Sequence, residues 1–240
     1  MAVTTKPRQA KKSDGLALTQ RIFDGLCHEI TTGKLRPGEL LSRRRIAQRY
    51  GVSYTPVIEA MVRLENVGLV ETENAQMARV RRLTIETIHE NSALREAYET
   101  QAVRLLCERA LPEEFEELAR RAQEVDAHRQ ARDASGKDED PQGVLLHWQF
   151  HRRIAELSRC PALVRELERI QLLRQLQAIW LYMPNVIGPA RMHSELVEVI
   201  ATRDPQAADA AMREHVRYGL KKELMGYERN AGSRFGNDRK

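Results

Sequence analysis

The chain has 240 residues, 42% of them apolar and 5% aromatic, with a formal net charge of +5. That is length for one large domain or two smaller ones, with enough apolar content for a core and a Leu-, Ala-, Arg- and Glu-rich composition that favours helix. Three widely spaced cysteines, Cys27, Cys107 and Cys160, exclude a disulfide framework or a zinc ribbon and fit a reducing cytoplasm.

The first residues, MAVTTKPRQAKKSDG, are basic and polar without an apolar centre, so they are not a secretory signal, and residues 1–16 read as a disordered basic arm. Ala17 to Thr32 predicts a helix with Ile22, Leu26 and Ile30 on one side, and Pro37-Gly38 breaks the chain after it. Leu41, Ile46, Ala47 and Tyr50 then recur at helical spacing until Gly51, where a left-handed residue is needed. Ser53 or Thr55 can cap the next helix, Pro56 is tolerated in its first turn, and Val57, Met61, Leu64 and Val67 form its buried stripe up to Gly68. Two helices joined by so short a turn form a helix-turn-helix unit, whose second helix lies in the major groove. Residues 69–72 and 79–82 read as two short strands joined by 73–78, a β-wing whose second strand is basic. Residues 17–82 are therefore expected to be a winged helix-turn-helix domain.

Charge supports that reading. Residues 1–82 hold 15 Lys and Arg against 8 Asp and Glu, a net of +7, whereas the remainder nets −2. Such an excess, confined to the segment that carries the motif, suits a phosphate partner. Arg43, Arg44, Arg45 and Arg49 crowd one short helix, and Ser53, Tyr54 and Thr55 open the next. These seven are the candidate DNA-binding residues.

From residue 83 helical periodicity takes over, with helices predicted near 85–110, 112–129, 141–158, 161–183, 188–202 and 205–226. Asp204-Pro205 makes a good cap and first-position pair. Residues 131–143 are polar and rich in turn formers and read as a loop, and 229–240 read as a polar tail. The apolar stretch Ile170 to Met183 is interrupted by Arg174, Gln175 and Gln177, so no membrane span is expected. The expected fold is mainly α, with a small β-wing in the first domain and an all-α bundle of about six helices over 83–228.

That bundle carries four histidines on apolar stripes. His147 and His151 are four apart beside Phe150 and Ile154, His193 opens a stripe continued by Leu196, Val197 and Ile200, and His215 shares one with Ala208, Met212 and Val216. A single such histidine is more often hydrogen-bonded in a core than a ligand. Four buried rings without a shared partner are costly, and an i,i+4 pair joined by two facing histidines can hold a divalent transition metal.

The two halves together resemble a GntR-family transcriptional regulator with an FCD-type C-terminal effector domain. The resemblance rests on GKLRPGELL (33–41), IAQRYGVSYTPV (46–57) and EAMVRLENVGLV (59–70), then LREAYE (94–99), FHRRIA (150–155), the His193 segment and AAMREHV (210–216). It implies a dimeric cytoplasmic DNA-binding protein, most often a repressor, that reads a palindromic operator and is controlled by a small carboxylate effector at a histidine-bound metal. Arg44 matches a DNA-contacting arginine of the family, Ser53 and Thr55 match phosphate-contacting positions, and Arg95 matches an arginine near the effector pocket. For Arg95 the competing expectation is an i,i+4 pair with Glu99. The sequence departs from the family where Tyr54 and Ile58 replace arginines that face DNA, where no glycine stands near Met77, and where His147 replaces an aspartate ligand. Arginine suits guanine, so altered operator choice is expected, with Tyr54 left to a phosphate or a thymine methyl. An all-imidazole ligand set should favour Zn or Ni over Mn. Two alternatives are a metal sensor, in which the ion is the signal, and a metalloenzyme, against which no HExxH motif is present.

Overall fold

The computed structural model describes residues 8–135, 141–180 and 189–231. The chain divides into two compact units between Leu83 and Thr84.

The first unit holds α1 (Arg8–Thr31), β1 (Leu40–Ser42), α2 (Arg43–Tyr50), α3 (Tyr54–Asn66), β2 (Val70–Thr72) and β3 (Met77–Val80). Its core is Ile22, Leu26 and Ile30 of α1 against Val57, Ala60, Met61 and Leu64 of α3, closed by Leu41, Ile46, Val70 and Val80. The Thr19 hydroxyl ties α1 to α3 by donating to Glu59 Oε2 at 2.8 Å. Gly25 lets the two segments approach, since a Cβ there would strike the Tyr50 hydroxyl. Gly51, at φ 63°, ends α2 in the left-handed conformation that glycine adopts without strain.

The wing differs from expectation in three ways. Its sheet has three antiparallel strands in the order β1-β3-β2. Leu41 lies in β1 opposite Ala78, not in a helix, because Ser42 is extended and caps α2 by accepting from Arg45 N. Strand β3 begins at Met77, so Arg81 and Arg82 fall beyond it. At the start of the chain, α1 reaches back to Arg8, where an Arg-Gln-Ala-Lys-Lys run of good helix formers continues it into the expected arm. Residues 1–7 of that arm lie outside the described residues.

The second unit holds α4 (Ile85–Arg109), α5 (Pro112–Ser135), α6 (Pro141–Leu157), α7 (Pro161–Trp180), α8 (Met192–Ala201) and α9 (Pro205–Ala231). Helix α4 packs along α9 and also meets α6 and α7, while α5 lies against α6 and α8. Thr84 and Thr87 start α4 with a reciprocal capping box. Asp204 starts α9 by accepting from Gln206 N and Ala207 N. Val103, Leu106, Leu118, Phe150, Ile154, Leu196, Ile200, Met212 and Val216 form one continuous core. Helix α5 runs to Ser135 through the first part of the expected loop, because Gln-Ala-Arg-Asp-Ala has adequate helix propensity. Residues 136–140 of that loop and 181–183 of the expected fourth helix lie outside the described residues. Helix α8 begins at Met192 rather than 188. Ahead of it the carbonyls of Pro189 and Ala190 accept from Arg129 and Gln130 of α5. Helix α9 extends to Ala231, into the expected tail, whose residues 232–240 lie outside the described residues.

Candidate functional site

In the first unit, α2 and the N-terminus of α3 form one polar edge. Arg44 and Arg45 are exposed on α2 and form no ion pair among the described residues. Arg49 is exposed but reaches Glu29 Oε2 at 3.0 Å, with its guanidinium 4.9 Å from the Tyr50 ring centroid. An exposed pair of this kind contributes at most about 1 kcal/mol, so a phosphate can displace Glu29. Ser53 occupies the N-cap of α3, yet its hydroxyl makes no capping hydrogen bond, and Thr55 is likewise exposed. Tyr54 turns its hydroxyl toward the wing, donating to Ala75 O at 3.4 Å. Tyr54, Ile58 and Val62, four residues apart, form an exposed apolar stripe along α3.

Arg43 is the correction in this set. It is 7% exposed, and its guanidinium donates to the Asn74 and Met77 carbonyls and to Thr72 Oγ1, fastening α2 to the wing instead of facing outward. The wing's own cations are also engaged. Arg79 binds Glu73 Oε1 and the Gly38 carbonyl, and Arg81 lies 3.9 Å from Glu71. Here Arg79 and Arg81 are engaged by groups of the first unit itself.

In the second unit the four stripe histidines meet. One ring nitrogen from each of His147, His151, His193 and His215 lies within 4.8 Å of the others. His151 Nε2 is 3.2 Å from His147 Nε2 and 3.1 Å from His215 Nε2. A tetrahedral zinc with Zn–N near 2.0–2.1 Å has ligand edges of about 3.3 Å, so these separations fit a shared ion. His193 Nε2 is buried without a hydrogen-bond partner, another mark of a donor set that suits a metal.

Two carboxylates orient the rings from behind. Asp126 on α5 receives His193 Nδ1 at 2.7 Å and the backbone N–H of His193 at 3.2 Å. It also accepts from Ser194 N at 2.9 Å and Ser194 Oγ at 2.8 Å. Glu99 on α4 lies 2.7 Å from His151 Nδ1 and accepts from Arg95 Nε at 2.8 Å. A carboxylate on the far nitrogen fixes the tautomer that leaves Nε2 free to ligate. Burial pushes all four histidines below their ordinary value near 6.5, furthest for His147 and His215, so the rings are neutral and able to ligate at neutral pH. Burial raises the Asp126 carboxyl, but hydrogen bonds from His193 and Ser194 outweigh it and keep it ionised.

Arg95 forms the i,i+4 pair with Glu99, both residues being about 4% exposed, and so reaches the cluster only through Glu99 and His151. Sequence reasoning missed several groups that complete the site. Asp126, Ser194, Arg174 and Glu223 carry no motif of their own, and only the packing of α5, α7, α8 and α9 around the histidines brings them in. Arg174 reaches Glu223 Oε1 at 3.2 Å, and burial together with the neighbouring Arg95 lowers its pKa. Arg95, Glu99, Trp148, His151 and Arg174 line a narrow cleft between α4, α6 and α7. The carboxylates next to the histidine segments do not enter the cluster: Glu156 pairs with Arg152 and Arg153, and Glu195 is exposed.

A winged helix-turn-helix unit followed by an all-α unit with a central histidine cluster is the architecture of a two-domain DNA-binding regulator. Residues 18–80 match the family of bacterial regulatory proteins called gntR, and residues 90–218 match the FCD domain. The chain belongs to the GntR family of transcriptional regulators, in the group with an FCD domain. It is 26% identical over 185 residues to the HTH-type transcriptional regulator McbR of Escherichia coli K12, covering 77% of this chain and 80% of that one. It is 28% identical over 185 residues to the Nta operon transcriptional regulator of Aminobacter aminovorans, covering 75% and 82%. The fold is shared with the solved E. coli McbR/YncC, at TM-score 0.64, 24% identity and coverage of 88% of this chain and 98% of that one. A GntR transcriptional regulator from Rhodococcus sp. RHA1 has TM-score 0.63 at 22% identity, covering 86% and 97%. These relatives are transcriptional regulators, not enzymes, and DNA is this chain's partner. No helix among the described residues is long and apolar enough to cross a membrane.

Proposed function

We propose that this regulator is a cytoplasmic homodimeric repressor that reads a palindromic operator and is controlled by a small organic acid held at a histidine-bound divalent metal. The observation that carries the proposal is the convergence of four imidazoles in a buried site, with His193 Nε2 left unsatisfied.

Arg44, Arg45 and Arg49 would meet phosphates, with Ser53 and Thr55 donating from the start of α3, while Tyr54 contacts a phosphate or a thymine methyl. In the second unit His147, His151, His193 and His215 would hold Zn or Ni, the ions an all-imidazole set favours. When bound, the ion supplies a fixed positive charge for a carboxylate. Asp126 and Glu99 keep Nε2 of His193 and His151 turned inward, and Arg95 keeps Glu99 ionised. Coupling to DNA would pass through α4, which carries Arg95 and Glu99 and begins two residues after Leu83. It requires the acid to bind one arrangement of the protein better than the other.

A second reading, that the ion itself is the signal, is favoured by the pairing of Arg95 with Glu99, which leaves this family effector position already neutralised. Operator affinity measured with metal alone, then with metal and acid, separates the two readings. The test of the main proposal begins with the metal content of the purified protein. Substituting both His193 and His215 by Ala should abolish bound metal, and full occupancy in that variant would overturn the ligand set. Failure of the full-length protein to retain duplex DNA in dilute salt would overturn the proposal as a whole.

A further inference from the structure

One turn beyond the histidine cluster, on two helices, stand groups that neither the DNA surface nor the ligand set uses. Arg129 follows Asp126 by three residues on α5. Tyr218 and Lys222 follow His215 by three and seven on α9, so each set shares one helix face. Arg129 donates through Nη2 to the Pro189 carbonyl just ahead of His193, which places its guanidinium beside that ligand. Its Nε and Nη1 are buried with no hydrogen-bond partner, and so is the Tyr218 hydroxyl. Lys222 Nζ lies 6.0 Å from the Tyr218 ring centroid, the outer limit of a cation–π contact, and that does not satisfy an ammonium.

Among the described residues the local charge is one-sided, Arg129, Arg132 and Lys222 standing against two carboxylates. Asp133 is bound by Arg132 at 2.6 Å, and Asp126 is occupied by His193 and Ser194. Burial, then Arg132 and Arg129, lower the Lys222 ammonium to about 8. Buried N–H and O–H donors left unsatisfied cost about 1–3 kcal/mol each, so a protein that keeps several beside surplus positive charge is built to receive an anion.

We infer that Arg129, Lys222 and Tyr218 form an anion subsite beside His193 that takes the second charged group of a dicarboxylate, whose first carboxylate meets the histidine-bound ion. The inference rests on the organic-acid reading above and names the class of acid. Arg129 offers two N–H donors to the distal carboxylate, Tyr218 adds its hydroxyl, and Lys222 adds charge. An acid with one carboxylate leaves these donors buried and unmatched, so selectivity comes from their cost as much as from the new bonds.

The test uses full-length zinc-loaded protein and calorimetric titration with succinate, glutarate and adipate, each against the monoacid of equal chain length. The best diacid should bind about tenfold or more tighter than its monoacid, the value of one or two charge-assisted hydrogen bonds. Arg129→Met and Lys222→Met should each erase most of that ratio, lowering diacid affinity far more than monoacid affinity. Tyr218→Phe, which removes only a hydroxyl, should lower the ratio with metal content and circular dichroism intact, so the subsite stays testable if an Arg129 variant fails to fold. A phosphonate in place of the distal carboxylate, if preferred over every diacid, would overturn the carboxylate assignment. Diacids and monoacids binding equally, or a ratio that survives all three substitutions, would overturn the subsite and leave the organic-acid reading standing. Binding of neither class would remove both.

Discussion

Asp126→Asn tests the support behind the metal centre with little change of shape. The carboxylate accepts four hydrogen bonds, from His193 Nδ1, His193 N, Ser194 N and Ser194 Oγ. An asparagine that keeps its carbonyl on His193 turns its amide nitrogen toward Ser194. The Ser194 hydroxyl can rotate and accept, but the Ser194 backbone N–H cannot, and it stays buried without an acceptor. That costs about 1–3 kcal/mol, and loss of charge assistance on the His193 bond adds about 1 kcal/mol more. The expected loss is therefore about 2–4 kcal/mol for the second unit, together with a 10–100-fold loss of metal affinity as His193 loses its orienting partner. Both tryptophans, Trp148 and Trp180, belong to the second unit, so their fluorescence in a urea titration follows it alone. Chelator competition gives the metal affinity. A change under about 1 kcal/mol together with unaltered metal affinity would refute the claim that Asp126 holds His193 for ligation.

Other outcomes separate the roles of neighbouring residues. Arg43→Ala should destabilise the first unit by about 2–3 kcal/mol through the loss of its wing contacts, and unchanged thermal stability would return Arg43 to the DNA surface. Arg44→Ala should leave stability alone and flatten the salt dependence of DNA binding by about one phosphate contact, whereas an unaltered slope would exclude that contact. Arginine at both Tyr54 and Ile58 should draw the selected half-sites toward guanine, and an unaltered site profile would show that neither position reads bases. Metal-free protein should lose stability as the pH falls below about 6.5. The four histidines have folded pKa values depressed below that ordinary value, so the unfolded chain takes up protons first and the penalty grows down to the folded values. A flat stability profile between pH 7 and 5 would contradict their burial as neutral rings.

The helix order and the histidine cluster were legible because both depend on local periodicity: an i,i+4 spacing and an apolar stripe fix which face a residue occupies. Gly51 and Asp204 were legible for a similar reason, since each answers a backbone need within a few residues. What stayed hidden depends on partners distant in sequence. Strand β1 is three residues long and exists because it pairs with β3, so nothing in Leu40–Ser42 alone distinguishes it from the start of a helix. Arg43 shares a run with Arg44 and Arg45, and only the position of residues 72–77 turns it inward. Asp126 lies 67 residues before the histidine it orients, on a helix whose polar face gives no sign of it.

The charges around the cluster decide where an anionic ligand belongs. On the His151 side, Arg95 and Arg174 are matched by Glu99 and Glu223, two cations against two carboxylates, and an arriving carboxylate would have to displace an existing pair. On the His193 side, Asp126 is already bonded to His193 and Ser194, and Asp133 is bound by Arg132, so among the described residues no carboxylate pairs directly with Arg129 or Lys222. A divalent ion held by four neutral imidazoles would add positive charge with no carboxylate ligand to offset it. Both additions favour an anion on the His193 side. Supplying a carboxylate with His147→Asp should then weaken diacid and monoacid binding alike, since each depends on the charge of the ion. Arg129→Met should act on diacids far more than on monoacids. If His147→Asp left both acids unaffected, the ion's charge would not be what holds the carboxylate.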